Sequence, residues 1–187
     1  MINKTLSKIY KNKVINLIEE IDEKKINHLA SLILNKKKSK NKIYIFGNGG
    51  SASTANHFAV DMTKNAKVNV DSFSNDDLIT CFSNDYGYEN WIANVLRFQA
   101  KKKDLVIFVS VSGNSQNLVN GIKYCRRNSI NTFCLTGFNK NNKVNRLSDE
   151  FFWINSKSYN QVEIVHHMFL LTVVDVIIGR DIYSTDI

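Results

Sequence analysis

The segment DLVIFVS, Asp104 to Ser110, is a run of apolar, largely β-branched residues too short to be a helix of its own. Such a run fits a strand covered on both faces, and it leads at once into the glycine-bearing turn SVSGNS and a helix-like stretch, SQNLVNGIKYCRRN. The same order recurs upstream. KIYIFG (Lys42 to Gly47) reads as a buried strand, GNGGSAS as the turn and SASTANHFAVDMTKNA as the helix. VNVDSF (Val68 to Phe73), NTFCLTG (Asn131 to Gly137) and EFFWIN (Glu150 to Asn155) add three more strands. DDLITCFSNDYGYENWIANVLRFQA reads as two helices interrupted near Asn84 to Gly87, and a long apolar helix closes the chain from about Val162 to Ile178. Strands alternating with helices predict an α/β fold, a doubly wound, mainly parallel five-stranded sheet with helices on both faces.

Residues 1 to 38 are helical in pattern, with Ile9, Val14, Leu17, Ile18, Ile21, Leu29 and Ile33 at helix-like intervals among charges. The 187 residues suit one domain, with N-terminal helices over 1–40 and the α/β core over 41–180. The apolar closing helix and the amphipathic N-terminal helices leave more apolar face than one small domain needs, so a homo-oligomer is expected. No stretch reads as long and apolar enough to span a bilayer, and MINKTLSKIYKNK lacks the apolar centre of a signal peptide, so a cytoplasmic protein without a membrane partner is expected. Cys81, Cys125 and Cys134 are odd in number and unclustered, which fits reduced thiols better than a disulfide frame or a zinc knot. The net charge of +8 comes from lysines scattered over helix ends and loops without interleaved aromatics, which argues against a nucleic-acid partner.

In a doubly wound sheet, ligands sit beyond the carboxyl ends of the strands, which points to the two turns. GNGGSAS (Gly47 to Ser53) lets the backbone approach a ligand, and free N–H groups at the start of the next helix face an anion. It lacks both the G-x-G-x-x-G spacing of a dinucleotide site and the Gly-Lys-Ser/Thr of an NTP loop, so no nucleotide cofactor is expected. SVSGNS repeats the arrangement with hydroxyls from Ser110, Ser112 and Ser115 and a second helix dipole. Each turn alone reads as a helix cap, with Ser115 or Asn114 satisfying the first amides. Together they suggest a donor cage for a phosphate monoester.

GNGGSAS followed by HFAVD, then SNDYGYEN, then SVSGNS, resembles the sugar isomerase (SIS) domain family in its phosphoheptose isomerase branch, over about Ile43 to Gly179. The resemblance implies that Ser51, Ser110, Ser112 and Ser115 hold a sugar phosphate, with the Val111 backbone among them, and that Asn48, Gly49 and Gly50 line the substrate. It implies that Asn84 and Asp85 contact substrate hydroxyls, often from the edge of a neighbouring subunit's site, within a homotetramer. Read from the chain alone, the same two residues are a turn or cap before Gly87.

His57 and Asp61, four apart, share one helix face. The resemblance gives these positions to zinc ligands, with the carboxylate also in acid/base work; aspartate stands here where glutamate is usual. The other implied ligands are a Gln and a His eight residues apart on the closing helix, with another His three after the Gln. Matching His166 to that intermediate His puts Glu163 at the Gln position and Leu171 at the last His, so the zinc set is incomplete as written; Gln161 and His167 lie close by. A buried carboxylate, Glu163, beside the His166 imidazole is a workable proton shuttle. His167 reads equally as structural or functional.

The reaction implied is aldose–ketose isomerisation of a seven-carbon sugar phosphate through an enediol, in the making of surface-polysaccharide or lipopolysaccharide precursors. Asp61 or Glu163 would be the base and His166 the acid. Two alternatives stand beside it: isomerisation of another sugar phosphate, and a non-catalytic SIS protein that senses a sugar phosphate or assembles with a replication initiator.

Overall fold

The computed structural model describes residues 4–182. It opens with α1 (Lys4–Glu19) and α2 (Glu23–Lys38). The Asp22 carboxylate accepts from the Lys24 amide at the start of α2, and Lys36, Lys37 and Lys38 end it, each where the helix dipole favours its charge. Lys36 also donates to the Lys103 carbonyl and the Asn131 side chain, so part of the basic excess serves tertiary structure.

The strands β1 (Ile43–Gly47), β2 (Val70–Asp71), β3 (Leu105–Ser110), β4 (Asn131–Thr136) and β5 (Glu150–Trp153) stand in the order β2-β1-β3-β4-β5. Every neighbouring pair is parallel. β2 is shorter than VNVDSF predicts, because the Asp71 carboxylate accepts from the Phe73 amide at 2.9 Å and Phe73 takes a positive φ, which turns the chain out of the sheet. Asp104, buried just before β3, accepts from the amides of Lys42 and Lys101 at 2.9 and 2.8 Å and ties the entries of β1 and β3 together.

Successive strand residues point to opposite faces, and the apolar runs therefore feed two cores. Ile43, Ile45, Ile107 and Leu135 meet α2, α3 (Gly50–Lys64) and α8 (Tyr159–Ile178) through Leu29, Phe58, Met62 and Phe169. Tyr44, Phe46, Phe108 and Cys134 meet α4 (Asp76–Tyr86), α5 (Trp91–Gln99), α6 (Gln116–Arg127) and α7 (Lys143–Leu147). The five-residue α7 is too short to show a helical period in the sequence; Asn142 caps it by accepting from the Asn145 amide. Cys125 and Cys134 are buried free thiols, and burial pushes both well above the ordinary thiol pKa; Cys81 is exposed and also free.

β1 leads through α3 on one face toward β2, whereas its neighbour β3 leads through α6 on the other face toward β4. The chain parts at the carboxyl ends of two adjacent strands, which opens a crevice there.

α8 corrects two readings of the sequence. It has the length and composition that could cross a membrane, contrary to expectation, yet Val162, Val165, Phe169, Leu170 and Val173 are buried in the layer against the sheet, α2 and α3. His166, read from the sequence as the acid of the site, is fully buried with them. Its ring sits 6.4 Å from that of Phe152, and neither ring nitrogen has a hydrogen-bond partner among the described residues. In a helix of 3.6 residues per turn, positions 163 and 167 share a face while 166 turns away from it toward the sheet. Burial pushes the His166 imidazole down to about 4, a shift that the Thr136 backbone offsets in part without closing a hydrogen bond.

Because the folded pKa of His166 lies below its value of 6.5 in the unfolded chain, the unfolded state binds more protons between those two values, and stability falls as pH drops through that window. Urea unfolding at about pH 7 and about pH 4.5 should show wild type losing roughly 2 kcal/mol more than His166→Leu. Equal losses would mean that the imidazole is not sealed in the core.

Candidate active site

Both turns lie at the crevice. After β1, Gly49 takes a φ of 52°, open to glycine at little cost, and the Ser51 and Ala52 amides fold back to the Asn48 and Gly49 carbonyls, which starts α3. After β3, the Gly113 amide bonds the Ser110 carbonyl and hydroxyl, both at 3.2 Å, and the Asn114 amide bonds the Ser112 hydroxyl at 3.3 Å. Gly113 has a φ of 65°, and a Cβ there would overlap the Asn142 side chain. Ser110 and Val111 are buried, while Ser112 and Ser115 are half-buried. Ser115 is the N-cap residue of α6, yet its hydroxyl makes no cap bond, which leaves it available to a ligand. Asn114 does not cap α6 either; its side chain accepts from the Lys143 amide at 3.3 Å.

The Asn48 and Asn117 carboxamides exchange two hydrogen bonds, of 3.0 and 2.8 Å, and so clamp the β1 turn to the first turn of α6. The Tyr88 hydroxyl donates to the Asn48 side-chain oxygen at 3.1 Å from the loop between α4 and α5. Asn48 was expected to line the substrate; its carboxamide joins the β1 turn to α6 and to the loop between α4 and α5. Sequence reasoning assigned no role to Asn117 or Tyr88. A poor helix former in the first turn of α6, directly after the serine turn, was the available signal for Asn117.

From Gly50 a cleft of about 610 Å³ runs between α3 and α8, lined by Thr54, Glu163, His167, Leu171 and Asp175 among others. Glu163, half-buried and not fully buried as expected, lies directly over Gly50: a Cβ at that glycine would come within 2.5 Å of its carboxylate. His57 and Asp61 pair at 3.2 Å on α3, and the His57 ring meets the His167 ring edge-on at 4.9 Å. His167 Nδ1 is 3.3 Å from the hydroxyl of buried Thr54. Burial, then the neighbouring His57, holds His167 below the ordinary imidazole pKa against the opposite pull of Asp61. Burial and the carboxylates Asp181 and Asp61 raise Asp175.

Of the residues expected in the site, Gly50, Glu163, His57 and Asp61 come together around this cleft, with His167 where His166 was expected. The serines gather at the adjoining crevice. Asn84 and Asp85 are exposed at the end of α4, where Asn84 donates to Asp85 and Cys81 lies 3.8 Å from Asp85. Among the described residues, Tyr88 is the member of that segment that bonds to the β1 turn.

Zinc would require a closed set of nitrogen, oxygen or sulfur donors. Leu171 offers none, His57 Nε2 is turned to an Asp61 oxygen at 3.2 Å, and His167 Nδ1 faces Thr54. Among the described residues, no three His, Cys, Asp or Glu side chains converge as a metal's donor set. The arrangement does not fit the zinc site that the resemblance implies.

Comparison with known proteins agrees with this architecture. The SIS domain family matches residues 9–137. The phosphoheptose isomerase of Aliarcobacter butzleri is 32% identical over 171 residues, 88% of each chain, and that of Helicobacter pylori strain P12 is 32% identical over 152 residues, 78% of this chain and 79% of the relative. In fold, the chain superposes on a phosphoheptose isomerase from Francisella tularensis with a TM-score of 0.88 at 17% identity, covering 96% of this chain and 100% of the other. The corresponding protein from Neisseria gonorrhoeae gives 0.87 at 22% identity, covering 94% and 98%. The chain belongs to the SIS domain family, in its phosphoheptose isomerase branch.

Proposed function

We propose that this chain is an isomerase that interconverts sedoheptulose 7-phosphate and an aldoheptose 7-phosphate in the cytoplasm, without a nucleotide cofactor, for surface-polysaccharide or lipopolysaccharide precursors. The observation that carries this reading is the Glu163 carboxylate over Gly50, at the junction of the serine-lined crevice and the α3–α8 cleft. A phosphate held by Ser110, Ser112, Ser115 and the helix amides would anchor one end of the sugar, and the carboxylate would meet the other. The names of the relatives support the substrate class.

In this reading Glu163 or Asp61 removes the proton beside the carbonyl, and the same carboxylate returns it to the neighbouring carbon of the enediol. His166 takes no part, because the core encloses it. Leu171 supports a second reading, in which the site isomerises a related sugar phosphate of different length.

The chain acts as a homo-oligomer, of which a tetramer is the form expected from its family. Leu6, Ile9 and Ile15 on α1 and Ile164 and Val176 on α8 are exposed and apolar, which supports such packing.

Incubation with sedoheptulose 7-phosphate, followed by separation of ketose from aldose, tests the reading, and turnover of shorter sugar phosphates alone would favour the second. Ser112→Ala should raise KM about tenfold or more while kcat changes less, since one hydrogen bond to a charged group is lost. Glu163→Gln should lower kcat by a factor of about 10³, and full turnover in that variant would remove Glu163 from the mechanism. Size-exclusion chromatography should give a species larger than one chain; a monomer would contradict the oligomer.

A further inference from the structure

Glu163, His167, Leu171 and Asp175 follow one another at intervals of four along α8 and form one stripe along the cleft. The stripe has an imidazole, but one turn before the position at which the resemblance calls for one. Position 171 is an alkyl side chain with nothing to offer a negatively charged oxygen. His167 is oriented by a residue from the facing helix, since its Nδ1 lies 3.3 Å from Thr54 Oγ1 and Thr54 is buried.

A neutral imidazole has one donor and one acceptor nitrogen, and the bond made by one nitrogen sets the role of the other. If the Thr54 hydroxyl donates to Nδ1, the ring proton is on Nε2, at the far side of the ring from Thr54. The His57 ring lies 4.9 Å from the His167 ring at an interplanar angle of 66°, and the His57 Nε2 pairs with Asp61. His167 Nε2 is then the imidazole donor of the cleft that carries Glu163.

We propose that His167, with its tautomer set by Thr54, donates its Nε2 proton in a hydrogen bond to the oxygen at the reacting carbon of the substrate. The proposal rests on the isomerase reading above. When a carboxylate takes the proton from the carbon beside the carbonyl, the C–H pair becomes the double bond of the enediolate and the carbonyl pair settles on oxygen as negative charge. His167 meets that charge as a preorganised neutral donor. Return of the carbon-bound proton to the former carbonyl carbon, and passage of the neighbouring hydroxyl proton to the enediolate oxygen, complete the isomerisation with no oxidant or reductant. Thr54 is a positioning residue in this scheme, and no bound cation is needed for the charge.

The test combines kinetics on sedoheptulose 7-phosphate after treatment with a chelator and nitrogen-15 NMR of the imidazoles at about pH 8. His167→Leu should lower kcat about 100-fold or more with KM changed less than about threefold, as expected for loss of one oxyanion donor. His167→Gln, which keeps an N–H donor, should recover part of that loss. Thr54→Val should lower kcat, and Thr54→Ser, which keeps the hydroxyl, should restore it. The NMR spectrum should show His167 protonated at Nε2 and bare at Nδ1 in wild type and in Thr54→Ser, but not in Thr54→Val. Wild-type turnover in His167→Leu, a proton on Nδ1, or turnover that chelation abolishes and zinc restores would each overturn the proposal. Should the wild type leave sedoheptulose 7-phosphate unchanged, the isomerase reading fails, while the position of the His167 proton still decides whether this ring is the donor of the cleft.

Discussion

β1 and β3 lie side by side, yet the chain leaves them toward opposite faces of the sheet. Everything at the carboxyl edge follows from that divergence. Two helix N-termini begin on either side of one crevice, and the paired carboxamides of Asn48 and Asn117 hold the two turns at a fixed separation. A carboxamide pair suits this task because each partner is both donor and acceptor, so the bridge satisfies two polar groups without adding charge beside the serine turn. Asp104 does the corresponding work at the opposite ends of the same two strands.

The division of labour along the site has a physical logic. The serine turn offers hydroxyls and amides, neutral donors that suit an anion, while the α3–α8 cleft carries the titratable groups. Glu163 sits where the two meet. It rests on a glycine, and any larger residue at position 50 would displace the carboxylate. α8 reconciles two demands: its buried face is a core helix as apolar as a membrane span, and its other face carries Glu163, His167 and Asp175.

The strands were legible because fully covered parallel strands are unbroken apolar runs, and the two turns because glycine and serine clusters between such runs have few other uses. β2 and α7 were harder, one cut short by an Asp71–Phe73 turn and the other too brief to show a period. The choice between His166 and His167 was beyond sequence reasoning, since adjacent residues on a helix differ only in phase, and phase is fixed by what the helix packs on. The roles of Asn117 and Tyr88 depend on contacts across 69 and 40 residues of chain, which local pattern does not carry.

The central claim is that one sugar phosphate spans both halves of this edge, its phosphate in the serine turn and its carbonyl end in the cleft. A crystal structure with sedoheptulose 7-phosphate tests it most directly. The account predicts the phosphate against Ser110, Ser112 and Ser115, with the carbonyl carbons within reach of Glu163 and His167. A phosphate bound away from that turn, or a carbonyl end remote from α8, would contradict it.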